Sequence, residues 1–213
     1  DNNTGWIVGD IGTIMKTTNG GTNWTNQICW TRGTLMSVFF INQNTGWTAG
    51  TYGKILKTTN GGNRWTVLAS EVTSPAFLSI FFVSPDTGWA VGGQGLILKT
   101  NNGGLNWSPQ TSGTTSQLNK VFFINNSTGW IAGFLSGMLL KTTNGGANWT
   151  SVSSGTTTNY YDIKFVNSNT GWIVGQAGSV RKTTNGGISW TAQTAGTGTN
   201  STIFMIDANT GWI

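Results

Sequence analysis

The sequence predicts an all-β fold, a β-propeller of about five four-stranded blades, because two motifs recur along the whole chain with one period. Thr-Gly-Trp occurs six times at intervals of 40 to 42 residues, ending at Trp6, Trp47, Trp89, Trp130, Trp172 and Trp212. A longer box, Thr-Thr-Asn-Gly-Gly-x-Asn-Trp, occurs five times with small changes, ending at Trp24, Trp65, Trp107, Trp149 and Trp190. Short apolar runs lie between the motifs. Repeats of roughly 42 residues are the length of a propeller blade.

The first two strands of each repeat are apolar. Strand one is a run such as Ser37–Ile41, which recurs at 79–83, 120–124 and 162–166 and, more loosely, at 202–206. A turn rich in Asn, Ser and Asp follows, and strand two then carries Thr-Gly-Trp and ends in Gly. Apolar residues on both faces of a strand indicate that both faces are covered, as they are in radially stacked sheets.

Strands three and four complete the repeat. A short hairpin containing Gly leads into strand three, such as Lys54–Thr58, and the Asn-Gly-Gly turn at residues 60–62 reverses the chain into strand four through Trp65. Asn-Gly supplies the positive φ values that tight hairpins need, so the turn has a physical basis.

The two chain ends raise the question of closure. The first repeat lacks a strand one, whereas residues 202–206 form a strand one without strands three and four of their own. Pairing these ends would close five blades into a single domain of residues 1–213 and remove two exposed edges. Residues 209–213 repeat the content of residues 3–7, however, and both cannot fill one strand position. The alternative is a slice of a longer repeat protein.

The box resembles the Asp-box, or BNR repeat. Together with Gly-Trp-x-x-Gly, it is similar to the photosystem II stability/assembly-factor type of propeller and its bacterial secreted relatives. The resemblance covers essentially the whole chain and implies the fold, but its members range from sialidases and other glycoside hydrolases to assembly factors and adhesins. The acidic position of the box is Asn in all five copies: Asn19, Asn60, Asn102, Asn144 and Asn185. Because Asn still accepts backbone N–H groups, we expect the box to be structural.

The composition excludes several chemistries. Only 8% of the residues are charged, His is absent and Cys29 is the single cysteine, so neither a His/Cys zinc site nor the usual catalytic triad nor an intramolecular disulfide can form. No metal or cofactor is expected, and no apolar stretch is long enough to span a membrane. The start at Asp1 without Met or a leader is typical of a processed protein or an excised piece. The uncharged polar surface, the absent leader and the near absence of Cys favour an exported protein, placed outside the cell, on its surface or in a periplasm.

Enzymatic activity is not expected. A glycosidase needs two carboxylates roughly 5–10 Å apart, and the chain has six acidic residues. Those near the variable loops are Asp10, Glu71 and Asp162, and closure would place Asp10 and Asp162 on neighbouring blades. The sialidase resemblance fails on content, because the three Arg residues are scattered and Glu71 is the only Glu.

Function is expected on the loops that vary between repeats. The turns between strands one and two and the box turns hardly change, whereas the hairpins between strands two and three and the connections from strand four to the next strand one vary on the opposite face. Rigid scaffolds carry binding residues on such loops. The candidate ligand-binding residues are Trp30, Arg32, Tyr52, Glu71, Phe134, Tyr160 and Tyr161. The alternative is that the sequences of these loops vary only because no function constrains them.

Two repeated residue types have a structural and a functional interpretation. The eleven repeat-position Trp residues are expected to pack between blades, each burying roughly 150–250 Å², rather than to form a sugar-binding platform; Trp30 alone lies off the repeat. Five Lys residues share one strand-three position: Lys16, Lys57, Lys99, Lys141 and Lys182. This girdle either attracts anionic partners or covers aromatic rings with its stems. It contains no dense basic cluster, so nucleic-acid recognition is not expected.

The strand-one positions 120 and 162 also break the repeat, with Lys120 and Asp162 where other repeats have Ser or Thr. We expect an ion pair between adjacent blades, the alternative being a site for a polar ligand or ion.

The preferred function is a non-catalytic binding or scaffold propeller that docks a protein partner. A carbohydrate-binding propeller is the alternative, ahead of a glycoside hydrolase or a photosystem assembly factor. A lectin would carry similar polar and aromatic binding residues in the equivalent loop of each repeat. The variable loops do not repeat in this way, which favours protein docking. The oligomeric state stays open.

Overall fold

The computed structural model describes residues 3–68 and 75–213. Its regular structure is β-strand apart from three single 3₁₀ turns at Asp10–Gly12, Thr51–Gly53 and Gly93–Gly95. The strands are β1 Gly5–Val8, β2 Ile14–Thr17, β3 Thr25–Asn26, β4 Leu35–Phe40, β5 Gly46–Gly50, β6 Ile55–Thr58, β7 Thr66–Leu68, β8 Phe77–Phe82, β9 Gly88–Gly92, β10 Ile97–Thr100, β11 Ser108–Gln110, β12 Leu118–Phe123, β13 Gly129–Gly133, β14 Leu139–Thr142, β15 Thr150–Ser151, β16 Tyr160–Phe165, β17 Gly171–Gly175, β18 Val180–Thr183, β19 Thr191–Ala192, β20 Phe204–Met205 and β21 Gly211–Trp212.

Each repeat forms one sheet. Four sheets have four strands in sequence order, namely β4–β7, β8–β11, β12–β15 and β16–β19. The first sheet has three strands, β1–β3, and the last has two, β20–β21. The predicted all-β class and four-stranded repeat are confirmed, and these sheets fit the blades of a propeller.

The predicted closure by the chain ends is not shown. In the last repeat β20 pairs with β21, its own strand two, through Phe204 opposite Trp212. β1 belongs to the separate sheet β1–β3. Closure would pair β20 with Gly5–Val8, but β21 pairs with β20 instead. This is possible because residues 209–213 repeat the content of residues 3–7.

The chain divides into two compact units. The first comprises residues 1–90 and 98–108 and contains sheets β1–β3 and β4–β7 with most of sheet β8–β11. The second comprises residues 91–97 and 109–213 and contains sheets β12–β15, β16–β19 and β20–β21. The prediction of one domain over residues 1–213 stays a prediction.

The Gly of Thr-Gly-Trp has a packing reason. Gly46 on β5 pairs with Phe40 on β4, and the Phe40 ring lies flat over it, so that a Cβ on Gly46 would come 2.6 Å from the ring. The same arrangement recurs at Gly129 beneath Phe123. A larger residue would push the ring out of its place in the core, since interiors have no spare volume.

The Trp of the motif packs on the next repeat. The Trp47 indole stacks on Phe82 with ring centroids 3.6 Å apart, and Trp107 of the following box meets the same ring edge-on at 6.0 Å. In the second unit Trp130 stacks on Phe165 at 3.7 Å. Trp47 and Trp130 are fully buried. Because their faces are covered, they act as repeat-to-repeat packing and offer no platform for a sugar.

In the four four-stranded sheets strand one starts two residues before the predicted bound, whereas β20, Phe204–Met205, is shorter than the predicted 202–206. β4 begins at Leu35, which pairs with Gly50, and the register then shifts before Ser37 pairs with Ala49. The same bulge separates Leu118 from Lys120. The extra residue breaks the alternation of apolar and polar side chains, so the sequence pattern did not reveal the first, buried residue of the strand.

The box turns are closed by a Thr–Asn pair. In the fourth repeat the Thr142 hydroxyl donates to Asn144 Oδ1 at 3.0 Å and accepts the Gly146 N–H at 2.9 Å, while Asn144 Oδ1 accepts the Asn148 N–H at 2.9 Å. Equivalent bonds occur in the other four boxes. The Asn therefore serves as an acceptor, and its lack of charge is immaterial to the turn.

This role predicts a contrast between two substitutions. Asn144→Asp keeps the acceptor oxygen and is expected to change the free energy of unfolding by less than about 0.5 kcal/mol. Asn144→Ala leaves the Thr142 hydroxyl and the Asn148 N–H without this partner and is expected to cost about 1–2 kcal/mol. Urea unfolding of both variants measures the contrast; equal stability of the two would contradict the role.

Candidate functional site: the exposed hairpin tips

The hairpins between strands two and three share an unusual backbone. Their tip residues lie in the left-handed region although they are not Gly: Ile11 (φ 54°), Tyr52 (φ 58°), Gln94 (φ 56°), Leu135 (φ 69°), Ser136 (φ 53°) and Ala177 (φ 54°). This conformation is rare for non-Gly residues and rarest for a β-branched one such as Ile11. Strain of this kind persists where the surrounding structure fixes it, and it concentrates at functional loops.

The Gly after each tip fixes the loop against the next connection. Gly12 (φ 68°) donates its N–H to Gly33 O at 2.9 Å, and a Cβ at Gly12 would overlap the carbonyl oxygen of Thr31. In the second unit Gly95 donates to Ser116 O at 2.8 Å in the same way. Gly12 and Gly95 are thus required both for their positive φ and for their contact with neighbouring backbone.

In the first unit one connection is held between two tips. On one side the Thr34 hydroxyl donates to Asp10 Oδ1 at 2.9 Å, and on the other the Thr51 N–H donates to Thr34 O at 2.9 Å. A Cβ on Gly33 would lie 3.3 Å from the Tyr52 ring. Residues 31–34 are therefore a rigid bridge between the tips of sheets β1–β3 and β4–β7.

Large apolar side chains on the two tips and on the connection just before the bridge are exposed to solvent. The exposed fraction is 87% for Trp30, 78% for Ile11, 70% for Tyr52 and 67% for Ile28. Arg32 is also exposed. We call these five residues the tip patch. Aromatic and Arg side chains on a fixed backbone are the residue types that dominate protein interfaces.

Three predicted site residues thus belong together: Trp30, Arg32 and Tyr52. Ile11 and Ile28 were missed. The sequence contained a signal for Ile11. When the hairpins are aligned on their Gly residues, Ile11 takes the position of Tyr52, one residue after Asp10.

The other predicted residues have different surroundings. In the second unit Phe134 and Tyr161 are half-buried and pack edge to face, with centroids 5.5 Å apart. Tyr160 is corrected: it is fully buried as the first residue of β16, opposite Gly175, because the strand-one bulge places it inward. Its side chain has no surface to offer a ligand. Glu71 lies outside the described residues.

Two polar clefts lie beside hairpin tips of the second unit, with volumes of about 670 and 480 Å³. The first is lined by Gln94, Gly95, Gln110, Thr111, Ser112, Gly113, Thr114 and Thr115, and the second by Leu135, Ser136, Gly137, Met138, Ser151, Val152, Ser153, Ser154 and Thr156. Hydroxyl and amide groups suit a neutral hydroxylated ligand. The lining residues include no aromatic ring on which a sugar would stack.

The lysine girdle is tied to the core. Each of the five ammonium groups lies 4.9–5.6 Å from the centroid of the Trp in its own repeat. Lys141 also donates to Gly186 O in the next box at 2.8 Å, and Lys57 to Gly103 O at 3.1 Å. The lysine side chains lie against aromatic rings as predicted, but the stem was expected to cover the ring with the ammonium in water, whereas the ammonium itself lies over each ring.

The predicted ion pair is also confirmed. Lys120 Nζ lies 3.4 Å from Asp162 Oδ1, and the carboxylate is buried. Asp162 Oδ2 accepts hydrogen bonds from the Thr202 hydroxyl at 2.9 Å and from the Ile203 N–H at 3.0 Å. Asp162 Oδ1 accepts the N–H of the next residue, Ile163, at 2.8 Å. Four donors occupy the carboxylate.

A comparison with the first unit explains this cluster. There Ser37, at the position equivalent to Asp162, accepts the N–H of Ile80 in the next strand one at 3.2 Å. Lys120 occupies the same position one repeat before Asp162 and cannot accept, so the Ile163 N–H finds its acceptor in Asp162 instead. The two substitutions compensate each other, and the Asp162 cluster is a latch between repeats.

Lys164 completes the charge pattern of this region. Its ammonium lies 5.2 Å from the centroid of the Phe122 ring. Burial lowers the pKa of Lys164, Asp162 opposes this by attraction, and Lys120 adds to it by repulsion. With Asp162 already saturated by donors, the group holds the strands together rather than presenting a free acid and base.

Within residues 3–68 and 75–213, no helix is long and apolar enough to cross a bilayer. The same residues bring no three metal-ligating side chains together.

The sheets, boxes and repeat-spanning aromatic pairs define a propeller of BNR-type repeats. The model of the photosystem II assembly factor YCF48 family matches residues 1–76, 69–156 and 151–213. The chain therefore belongs to that family. No curated protein sequence matches it significantly.

Solved structures share the fold at low identity. A structure of YCF48 bound to D1 peptide is 20% identical, with a TM-score of 0.57 over 99% of this chain and 86% of that one. YCF48 from Cyanidioschyzon merolae is 19% identical, with a TM-score of 0.75 over 97% and 74%. The GH74 enzyme of Niastella koreensis is 20% identical, with a TM-score of 0.69 over 84% of this chain and 34% of that one.

Proposed function

We propose that this chain is a non-catalytic propeller that docks a protein partner through the tip patch. The observation that carries the proposal is the exposure of Trp30, at 87%, on a connection whose backbone is bonded to two hairpin tips. Ile11 and Tyr52 lie on these two tips, on left-handed backbone. Folding alone would favour Gly and polar residues at such positions, so the apolar side chains point to a bound state that uses them.

The rigidity of the bridge supports docking. Residues 31–34 are held by the bonds of Thr34 and Gly33 to both tips, so little loop entropy is lost when a partner binds. An extended segment with apolar side chains and a carboxylate for Arg32 fits this surface. The relative solved as YCF48 bound to D1 peptide holds a peptide, which supports a protein segment as the ligand class.

The acidic residues support a non-catalytic role. Asp162 is buried beneath four donors, and Asp10 holds the Thr34 hydroxyl. Both carboxylates therefore have a structural task. We further propose that the protein works outside the cell, at its surface or in a periplasm, for which the scarcity of charge and the single Cys remain the support.

Selection from a displayed library of random dodecapeptides tests the docking proposal. The wild-type chain is expected to enrich a consensus with apolar side chains and an acidic residue. Trp30→Ser is expected to weaken the selected peptide by roughly 2 kcal/mol or more, because a central aromatic anchor is lost. Calorimetry on the synthetic peptide gives both affinities.

Ile188→Ser is the matched control, since Ile188 in the last box turn is 77% exposed but lies outside the tip patch. It is expected to bind as the wild type does. Absence of any consensus, or equal affinity of Trp30→Ser and wild type, would sink the proposal.

A further inference from the structure

A cavity of about 320 Å³ lies at the box-turn end of sheet β4–β7, in the first unit, away from the tip patch. Its lining residues are Lys57, Thr59, Asn60, Arg64, Thr66, Leu68 and Leu105. The volume is at the lower end of the range for small-molecule sites. The lining separates into a cationic part and an apolar part, which is the arrangement that an amphiphilic anion requires.

The cationic part consists of Lys57 and Arg64. The Lys57 ammonium is held in place over Trp47, 5.1 Å from the ring centroid, and by one hydrogen bond to Gly103 O, which leaves it further donors. Arg64 is exposed, and its guanidinium forms no hydrogen bond or ion pair with the part of the chain that the structure describes. Its planar fork matches a carboxylate.

Arg64 is a departure from the repeat. The box has a small polar residue at this position in the other copies: Asn23, Asn106, Asn148 and Ser189. The turn does not need the guanidinium, because only the backbone N–H of Arg64 takes part in it, donating to Asn60 Oδ1 at 2.9 Å. The charged side chain therefore takes no part in closing the turn.

The apolar part arises at a position that is Gln in three repeats and apolar in two, Leu68 and Val152. In the third repeat Gln110, at the position of Leu68, donates to Gly145 O at 3.2 Å and accepts the indole N–H of Trp149 at 3.3 Å. Leu68 can do neither. Among the described residues the buried Trp107 Nε1, equivalent to Trp149 Nε1, has no hydrogen-bond partner, as is also the case for Trp65 Nε1 and Trp190 Nε1.

Leu105, 64% exposed, adds the second apolar wall from the next box. A cation pair and two Leu side chains thus replace the amide that closes the equivalent place in the third repeat. Among residues 3–68 and 75–213, no hydrogen bond or ion pair uses the Arg64 guanidinium.

We propose that this cavity binds an amphiphilic carboxylate, with the carboxylate between Lys57 and Arg64 and a short branched aliphatic group against Leu68 and Leu105. The apolar wall disfavours strongly hydrated inorganic anions, and the two cations disfavour neutral aliphatic molecules. The site is independent of the tip patch.

An NMR titration of the full chain with N-acetyl-L-leucine tests the proposal, with N-acetyl-L-leucinamide as the neutral isostere. We expect saturable shifts of the Leu105 amide and the Trp107 indole signal in the millimolar range with the acid. The amide is expected to cause none. Arg64→Asn restores the residue of the neighbouring boxes, keeps the fold and is expected to weaken binding at least about tenfold.

Lys54→Gln is the control, since it removes one exposed charge from the other end of strand β6. It is expected to leave the titration unchanged. Equal shifts with acid and amide, no saturable shift with the acid, or unchanged binding by Arg64→Asn would each overturn the assignment. Because Trp30 takes no part, this outcome is separate from that of the docking experiment.

Discussion

Replacing Asp162 by Ala is expected to lower the free energy of unfolding by roughly 3–5 kcal/mol, among the largest effects of a single substitution in this chain. The carboxylate accepts the N–H groups of Ile163 and Ile203 and pairs with Lys120. Without it two buried N–H groups have no acceptor, and each such loss costs about 1–3 kcal/mol. Urea unfolding at constant m-value measures the effect.

A double substitution provides the control. Asp162→Ser restores the acceptor for Ile203 by analogy with Ser37 and Ile80, but it leaves Ile163 without one. Adding Lys120→Ser gives Ile163 its acceptor from the preceding repeat. The double variant is therefore expected to lie within about 1 kcal/mol of wild type and above the single variant. Additive losses at the two sites would contradict the latch.

Gly12→Ala is expected to destabilise the first unit by roughly 2–5 kcal/mol. The new Cβ requires a left-handed alanine, at φ 68°, and overlaps the carbonyl oxygen of Thr31. The bridge that follows Trp30 must move, so binding of the selected peptide is expected to weaken although no patch side chain is removed. Urea unfolding and calorimetry measure the two losses.

Gly113→Ala separates the two causes. Gly113 has a similar φ of 73°, but a Cβ there would meet no atom within 4 Å. Only the left-handed conformation is penalised, and we expect a loss of about 1–2 kcal/mol with unchanged peptide binding. If both Gly variants lost the same stability, the contact between tip and bridge would be irrelevant.

The repeat made most of the fold predictable. Thr-Gly-Trp and the box fix the strands through packing that recurs in the four four-stranded sheets, such as Phe40 over Gly46. The start of strand one was not predictable, because the bulge before Ser37 hides the alternation that marks a strand. Closure was not predictable either. Residues 3–7 and residues 209–213 have similar sequences, so the sequence does not decide which of the two segments pairs with β20.

The candidate site was predictable in part for a related reason. Variability between repeats located the tips, Trp30 and Tyr52. It did not distinguish Tyr160, which aligns with the buried Leu35 once the bulge is known. The cavity at Arg64 was missed because its parts come from two successive boxes and from Leu68, which lie together only in the folded chain.

The indole N–H signals in an NMR titration with the selected peptide test the docking surface most directly. Trp30 is 87% exposed, whereas Trp47, Trp89 and Trp130 have no exposed surface. If the tip patch is the docking surface, the Trp30 signal shifts and saturates with the peptide while the buried indoles stay unmoved. An unmoved Trp30 signal in the presence of saturating peptide would contradict the proposal.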